Sequence, residues 1–112
     1  MVEYHSEHTD HVFRALAHPV RRQILRRIAR KEHTVTELAE PFKMSLEAVS
    51  KHVQVLERAG LLRRTRRGRT HRCRLTPAPI QHAATVLAQL ARLWEKRLDA
   101  LDELLRELKD QE

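Results

Sequence analysis

The sequence predicts a mainly α-helical domain with one small β-hairpin, ending in a long helix. Three observations lead there. Apolar residues recur at spacings of three and four through most of the chain. Residues 61–75 break that rhythm and partly alternate around Gly68, as the two arms of a hairpin do. Pro77 and Pro79 then precede a leucine stripe that runs almost to the C-terminus. With 112 residues the chain reads as a single domain, 1–112, with a modest core. Hydrophobic residues are 41% and charged residues 33%, which excludes a disordered or a membrane class. No apolar run nears the roughly 18 residues a spanning helix needs, and the start Met1-Val2-Glu3-Tyr4-His5 lacks the features of a signal peptide. One cysteine, Cys73, allows neither an internal disulfide nor a multi-thiolate metal site. A cytoplasmic location is the expectation.

The elements follow in order. Val12, Phe13 and Leu16 give a short amphipathic helix from about Asp10 to Ala17, broken by His18-Pro19. Pro19 suits the first turn of the next helix, whose inner face is Val20, Ile24, Leu25 and Ile28 and whose outer face carries Arg21, Arg22, Arg26, Arg27 and Arg30. Lys31 to Thr34 reads as a turn. Thr36 is a candidate cap for a short helix over 37–40, with Glu37 facing the helix dipole and Pro41 leading into a turn. Ser45 can cap a longer helix through Ala59, and Gly60 can close it. In that helix Leu46, Val49, Val53 and Leu56 form a buried stripe, while Glu47, Ser50, Lys51, Gln54 and Arg58 face outward. Helix, short turn and longer helix make a helix-turn-helix.

The final helix is expected over 80–112, about 50 Å long at 1.5 Å per residue. Ala84, Leu87, Ala91, Trp94, Leu98, Leu101, Leu105 and Leu108 repeat along one side of it. A domain this small cannot cover so long a stripe, so the helix wants a partner. Self-association is the economical choice, with Val12 of the first helix and Leu87, Trp94, Leu98, Leu101 and Leu105 of the last at the dimer interface. Folding back on its own domain is the alternative.

Charge is segregated. Residues 1–57 hold nine Lys/Arg against eight Asp/Glu, residues 58–94 hold nine Arg and no acid, and residues 95–112 hold four bases and seven acids. A block of nine arginines around a hairpin is an electrostatic footprint for a polyanion. A solvated basic surface would show the same charges without any partner.

These residues resemble a known family, the ArsR-type winged-helix bacterial regulators. The resemblance rests on residues 13–25 (Phe-Arg-Ala-Leu-Ala-His-Pro-Val-Arg-Arg-Gln-Ile-Leu), on 35–39 and, most specifically, on 45–62 with its Val-Ser-Lys-His run ending in Leu-Glu-Arg-Ala-Gly-Leu. It implies a winged helix-turn-helix, with 34–75 as helix-turn-helix plus wing and 80–112 as dimerisation helix. It also implies a homodimer on double-stranded DNA that represses its own operon and is released by an effector.

In such a dimer the two Ser45 helices would enter major grooves about one DNA turn apart. Lys51 suits guanine acceptors and Gln54 suits adenine, while Ser45 and Ser50 serve phosphates or bases. Glu47 could accept from cytosine N4 or could simply offset the first-turn dipole. Arg64, Arg66, Arg67, Arg69 and Arg72 would flank the duplex, lying along phosphates or entering a narrow minor groove. His52, at the margin of the buried stripe, reads as packing.

Many relatives sense metal through paired thiols, at positions that match Thr34 and Thr36 here, so that site is absent. A second site of the family uses histidines and carboxylates of the last helix, where this chain offers His82, Glu95, Asp99 and Asp102 without the paired-histidine spacing. No cofactor is required by this reading. His5, His8 and His11, spaced at three, are candidate zinc or nickel ligands, or else a polar terminus. Two competing functions stay open: a metal-responsive regulator working through those histidines, and an interaction module that binds nucleic acid without sequence choice. An enzyme is not expected, because the sequence carries no nucleophile–base pairing, phosphate loop or paired-carboxylate motif.

Overall fold

The computed structural model describes residues 2–111, with side chains from His8 onward. The elements are α1 (Val2–Leu16), α2 (Pro19–Arg30), β1 (His33–Thr34), α3 (Val35–Ala39), α4 (Leu46–Arg58), β2 (Leu62–Arg67), β3 (Thr70–Leu75) and α5 (Ala78–Asp110). The strands form one antiparallel sheet in the order β1-β3-β2. It is a winged helix-turn-helix with a long last helix.

Local chemistry sets the boundaries. Pro19 occupies the first turn of α2, and His18 caps it by accepting from the Val20 amide at 3.1 Å. Ser45 caps α4 by accepting from the Ala48 amide at 3.1 Å. At the other end of α4, Gly60 takes φ 76, its amide donates to Glu57 O, and the Leu61 amide donates to Leu56 O at 3.0 Å. That pair of bonds closes the helix and turns Leu61 into the core. Replacing Gly60 would place a Cβ 3.7 Å from Pro79, an ordinary contact, so the demand for glycine there comes from the backbone.

Ile24, Leu38, Val49, Val53, Leu56 and Leu61 are fully buried, joined by Val12, Ala15, Ile28, Leu62, Cys73 and Ala83. Burial of each large side chain contributes about 1.5–3 kcal/mol. This core lies behind α4 and fixes its orientation from α2, α3 and the sheet.

The structure corrects several expectations. The first helix begins at Val2, not near Asp10. The segment expected to be a turn before Thr34 ends in strand β1, whose two residues pair with Cys73 and Arg72; two residues are too few to show alternation. Thr34, not Thr36, caps α3, through a reciprocal capping box in which Glu37 N donates to Thr34 Oγ1 and Thr34 N donates to Glu37 Oε1, both at 3.1 Å. Leu46 is 52% exposed, because the first residue of α4 overhangs the core that holds Val49. Val12 is sealed in its own core at 1% exposure, so it supports the fold rather than facing a partner. The last helix does not fold back: every described side chain from Leu87 onward is exposed, and the molecule extends 74 Å along its longest axis.

Candidate nucleic-acid interface

Helix α4 presents Ser45, Glu47, Lys51, Gln54 and Arg58 to solvent, with Ser50 half-buried on the side nearest the hairpin. The buried stripe beneath leaves these side chains one direction to point. Val55, one turn on from Lys51, is 36% exposed on the same face. An apolar group there suits a thymine methyl. The sequence alone does not mark it, because a lone valine outside the apolar stripe looks like ordinary surface.

The hairpin turns through Gly68 and Arg69, between the paired residues Arg67 and Thr70. Gly68 has φ 60 and Arg69 is not in the positive region, the pattern of a type II′ turn, whose twist matches that of the strands. Alternation gives the ribbon two faces. Arg64 pairs with Cys73, and Arg66 with His71, on the face toward α4. Arg63, Arg67, Arg72 and Arg74 lie on the other face and are exposed. Arg63 and Arg74, opposite each other at the base, add two further cations that the sequence alone does not set apart.

Arg64 departs from the role expected of it. Its side chain is only 16% exposed, and Nη2 sits 3.4 Å from Glu57 Oε1 of α4. Among the described residues its buried Nε and Nη2 have no hydrogen-bond partner, so the contact with Glu57 is an ion pair without hydrogen-bond geometry. Arg64 is a strut between the hairpin and α4. Arg66, Arg67, Arg69 and Arg72 remain exposed and able to meet phosphates.

Between α3, the start of α4 and the hairpin runs an open groove of about 370 Å³, lined by Thr36, Leu46, Ser50, Arg69, Thr70 and His71 among others. Thr34 also borders it, but its hydroxyl is engaged in the α3 cap. Hydrogen bonds from the Thr34 backbone and side chain hold the Glu37 carboxyl below its ordinary pKa. Cys73 is buried, and burial pushes its thiol pKa up, which keeps it protonated and unreactive.

The regulatory positions read from the sequence scatter. Thr36 is exposed, and His82, Glu95, Asp99 and Asp102 lie exposed along α5. Of the proposed zinc or nickel ligands, His8 and His11 are exposed on α1, while the side chain of His5 lies outside the described residues. Among the described residues no three His, Cys, Asp or Glu side chains converge as a metal site would require. No described helix is long and apolar enough to cross a membrane.

Along α5, Leu87 (55%), Trp94 (66%), Leu98 (56%), Leu101 (52%) and Leu105 (55%) are exposed in one line. Leu90, Leu93, Leu104 and Leu108 widen it. A continuous apolar face on this scale marks a surface meant to be covered.

Residues 16–65 match the family model described as a helix-turn-helix domain. Among solved structures, an ArsR family transcriptional regulator is 39% identical, with a TM-score of 0.76, and the alignment covers 80% of this chain and 93% of that one. An ArsR-like transcriptional regulator from Rhodococcus sp. RHA1 is 28% identical, with a TM-score of 0.73 and coverage of 88% and 93%. The homodimeric winged helix-turn-helix DNA-binding domain Mb0332 from Mycobacterium bovis is 26% identical, with a TM-score of 0.63 and coverage of 86% of both chains. No curated protein matches the chain.

Proposed function

This chain belongs to the ArsR family of winged helix-turn-helix transcriptional regulators, and from that premise we propose that it works as a cytoplasmic homodimer that recognises one operator and represses its own operon. The observation that carries the reading is the pairing of two surfaces on one rigid scaffold. The exposed polar face of α4 beside an arginine-rich hairpin suits a major groove and the phosphates next to it. The uncovered stripe of α5 suits a second copy, and the homodimeric Mb0332 domain supports that choice of partner.

The proposed division of labour follows from position. Lys51 and Gln54, aided by Glu47, Ser50 and Val55, read base edges. Ser45 and the start of α4 favour a phosphate. Arg66, Arg67, Arg69 and Arg72 contribute affinity with little sequence choice, and Arg64 holds the hairpin at its angle to α4. The segregated charge makes binding strongly salt-dependent, with a slope of about 0.9 per phosphate neutralised.

The test is a titration onto the DNA upstream of the gene and onto the same bases scrambled, at two salt concentrations. Preference for the native fragment with two protomers per site supports the reading; equal affinity for both refutes it. A parallel titration with zinc and nickel ions tests the N-terminal histidines as an effector site.

A further inference from the structure

Three basic groups meet where the α1–α2 corner touches α4, and none of the DNA contacts above uses them. His18 caps α2 by accepting from the Val20 amide at 3.1 Å through Nδ1. The ring of His52, on the flank of α4, lies 4.4 Å from that of His18, tilted by 47°. Arg21 Nη1 stands 3.3 Å from His52 Nδ1. The same guanidinium donates through Nε to Ala15 O at 2.8 Å and through Nη2 to Arg14 O at 2.9 Å. The cluster ties the last turn of α1, the first turn of α2 and the middle of α4 together.

These contacts fix protonation. A backbone amide and a guanidinium can only donate, so each Nδ1 that faces one carries no proton. The arrangement suits a neutral His52 ring with its proton on Nε2. Adding a proton to its Nδ1 sets one N–H against another and places a second charge beside Arg21. Burial is the first cause that pushes the His52 pKa below the ordinary 6.5, and the positive charge of Arg21, or of a protonated His18, acts in the same direction. Of the remaining charges nearby, Arg14 of α1 and Lys51 of α4 are exposed bases, and Glu57 of α4 is committed to Arg64 on the hairpin side. Among the described residues no carboxylate pairs with either ring or with Arg21.

We propose that His52, packed between His18 and Arg21, is a positioning residue that holds the recognition helix α4 in its DNA-binding orientation only while its ring is neutral, so that acidification releases the protein from DNA. The inference rests on the DNA-binding reading above. Its sign is distinctive. The chain carries a net +7 and eight histidines, so a general gain of positive charge at low pH would tighten binding to a polyanion. A neutral His52 demands the reverse. The oriented state disfavours on His52 a proton that a released ring accepts at its ordinary value of 6.5. Binding is thus complete above that pH and weakens below it, by up to about tenfold per pH unit, until the lowered pKa of the oriented ring is reached.

Affinity for the DNA upstream of the gene is measured by fluorescence anisotropy at pH 7.5 and pH 5.5, at constant ionic strength. The proteins are the unaltered chain and a His18→Asn/His52→Gln double variant. Asparagine keeps a capping oxygen for α2, glutamine keeps an acceptor for Arg21, and neither titrates. The unaltered chain is expected to lose several-fold, up to about tenfold, between the two pH values, and the double variant to change by less than about twofold or to tighten. Binding by the unaltered chain that holds or tightens at pH 5.5, or a double variant that weakens equally, overturns the proposal. A second measurement needs neither the variant nor DNA: nitrogen-15 imidazole spectra at pH 7.5 report which ring nitrogen carries the proton. Bare Nδ1 on His52 is expected, and a protonated Nδ1 there contradicts the proposal. Absence of DNA binding at pH 7.5 would defeat the functional reading, while the spectra decide the state of His52 separately.

Discussion

Replacing Leu101 with glutamate separates dimer formation from folding. Leu101 is 52% exposed in the single chain, so only about half of its side chain is left to bury against a partner. Complete burial of a leucine is worth about 1.5–3 kcal/mol, so covering the remaining half contributes about 1 kcal/mol. Six seam positions, Leu87, Trp94, Leu98, Leu101, Leu105 and Leu108, are similarly exposed. In two copies they supply about 12 kcal/mol, set against an association cost of about 4–15 kcal/mol. A dimer held by this seam would therefore be sensitive to any one position. Leu101→Glu removes about 2 kcal/mol across the two copies and leaves two carboxylates in the seam, each costing several kcal/mol if fully desolvated. Even a combined loss of about 4 kcal/mol weakens the dimer about a thousandfold. Glutamate is a good helix former at an exposed position, so the thermal transition of the winged domain should hardly move once the monomer is the reference state. Sedimentation velocity over a range of concentrations reads the outcome. A dimeric unaltered chain beside a folded, monomeric variant is expected. A variant that still dimerises, or an unaltered chain already monomeric at micromolar concentration, refutes the assignment of α5.

Three further outcomes follow from single contacts. Thr34→Ala removes one half of the α3 capping box and should cost about 1 kcal/mol of stability, measured as a shift in the urea midpoint at unchanged slope; it also removes one bond that lowers the Glu37 pKa, which should rise in a carbon-13 titration. The ionised Glu37 stabilises the fold above pH 4.5, and that contribution disappears as pH falls through its lowered folded value. Gly60→Ala forces a left-handed backbone on an L-residue at φ 76 and should destabilise by about 1–2 kcal/mol; no loss would mean that the turn after α4 relaxes freely. Arg67→Ala and Arg69→Ala should weaken binding to native and scrambled DNA alike, each lowering the salt slope by about 1, whereas Lys51→Ala should erase preference for the native site.

Much of this was legible in the chain itself because local chemistry and tertiary packing agree. Ser45, the three-and-four spacing of Val49, Val53 and Leu56, and Gly60 all specify one helix, and α4 forms where they place it. Pro19, the hairpin around Gly68 and the leucines of α5 are equally explicit. What could not be read depends on contacts distant in sequence. Strand β1 is two residues whose extended form comes from pairing with Cys73 and Arg72 about forty positions later. Thr34 and Thr36 are both good caps on paper, and the strand pairing of Thr34 selects between them. Arginine periodicity shows a basic hairpin but not that Arg64 turns inward to Glu57. Likewise, His18 and His52 lie 34 positions apart, and only the fold stacks them.

Two copies of this scaffold are expected to set α4 into successive major grooves. A stoichiometric titration of the upstream DNA, followed by footprinting of the saturated complex, measures this arrangement. Two protomers per site, protection centred on half-sites about 34–36 Å apart, and at least about a thousandfold preference over scrambled DNA are expected. One protomer per site, or protection without fixed spacing and equal on both DNAs, would contradict it.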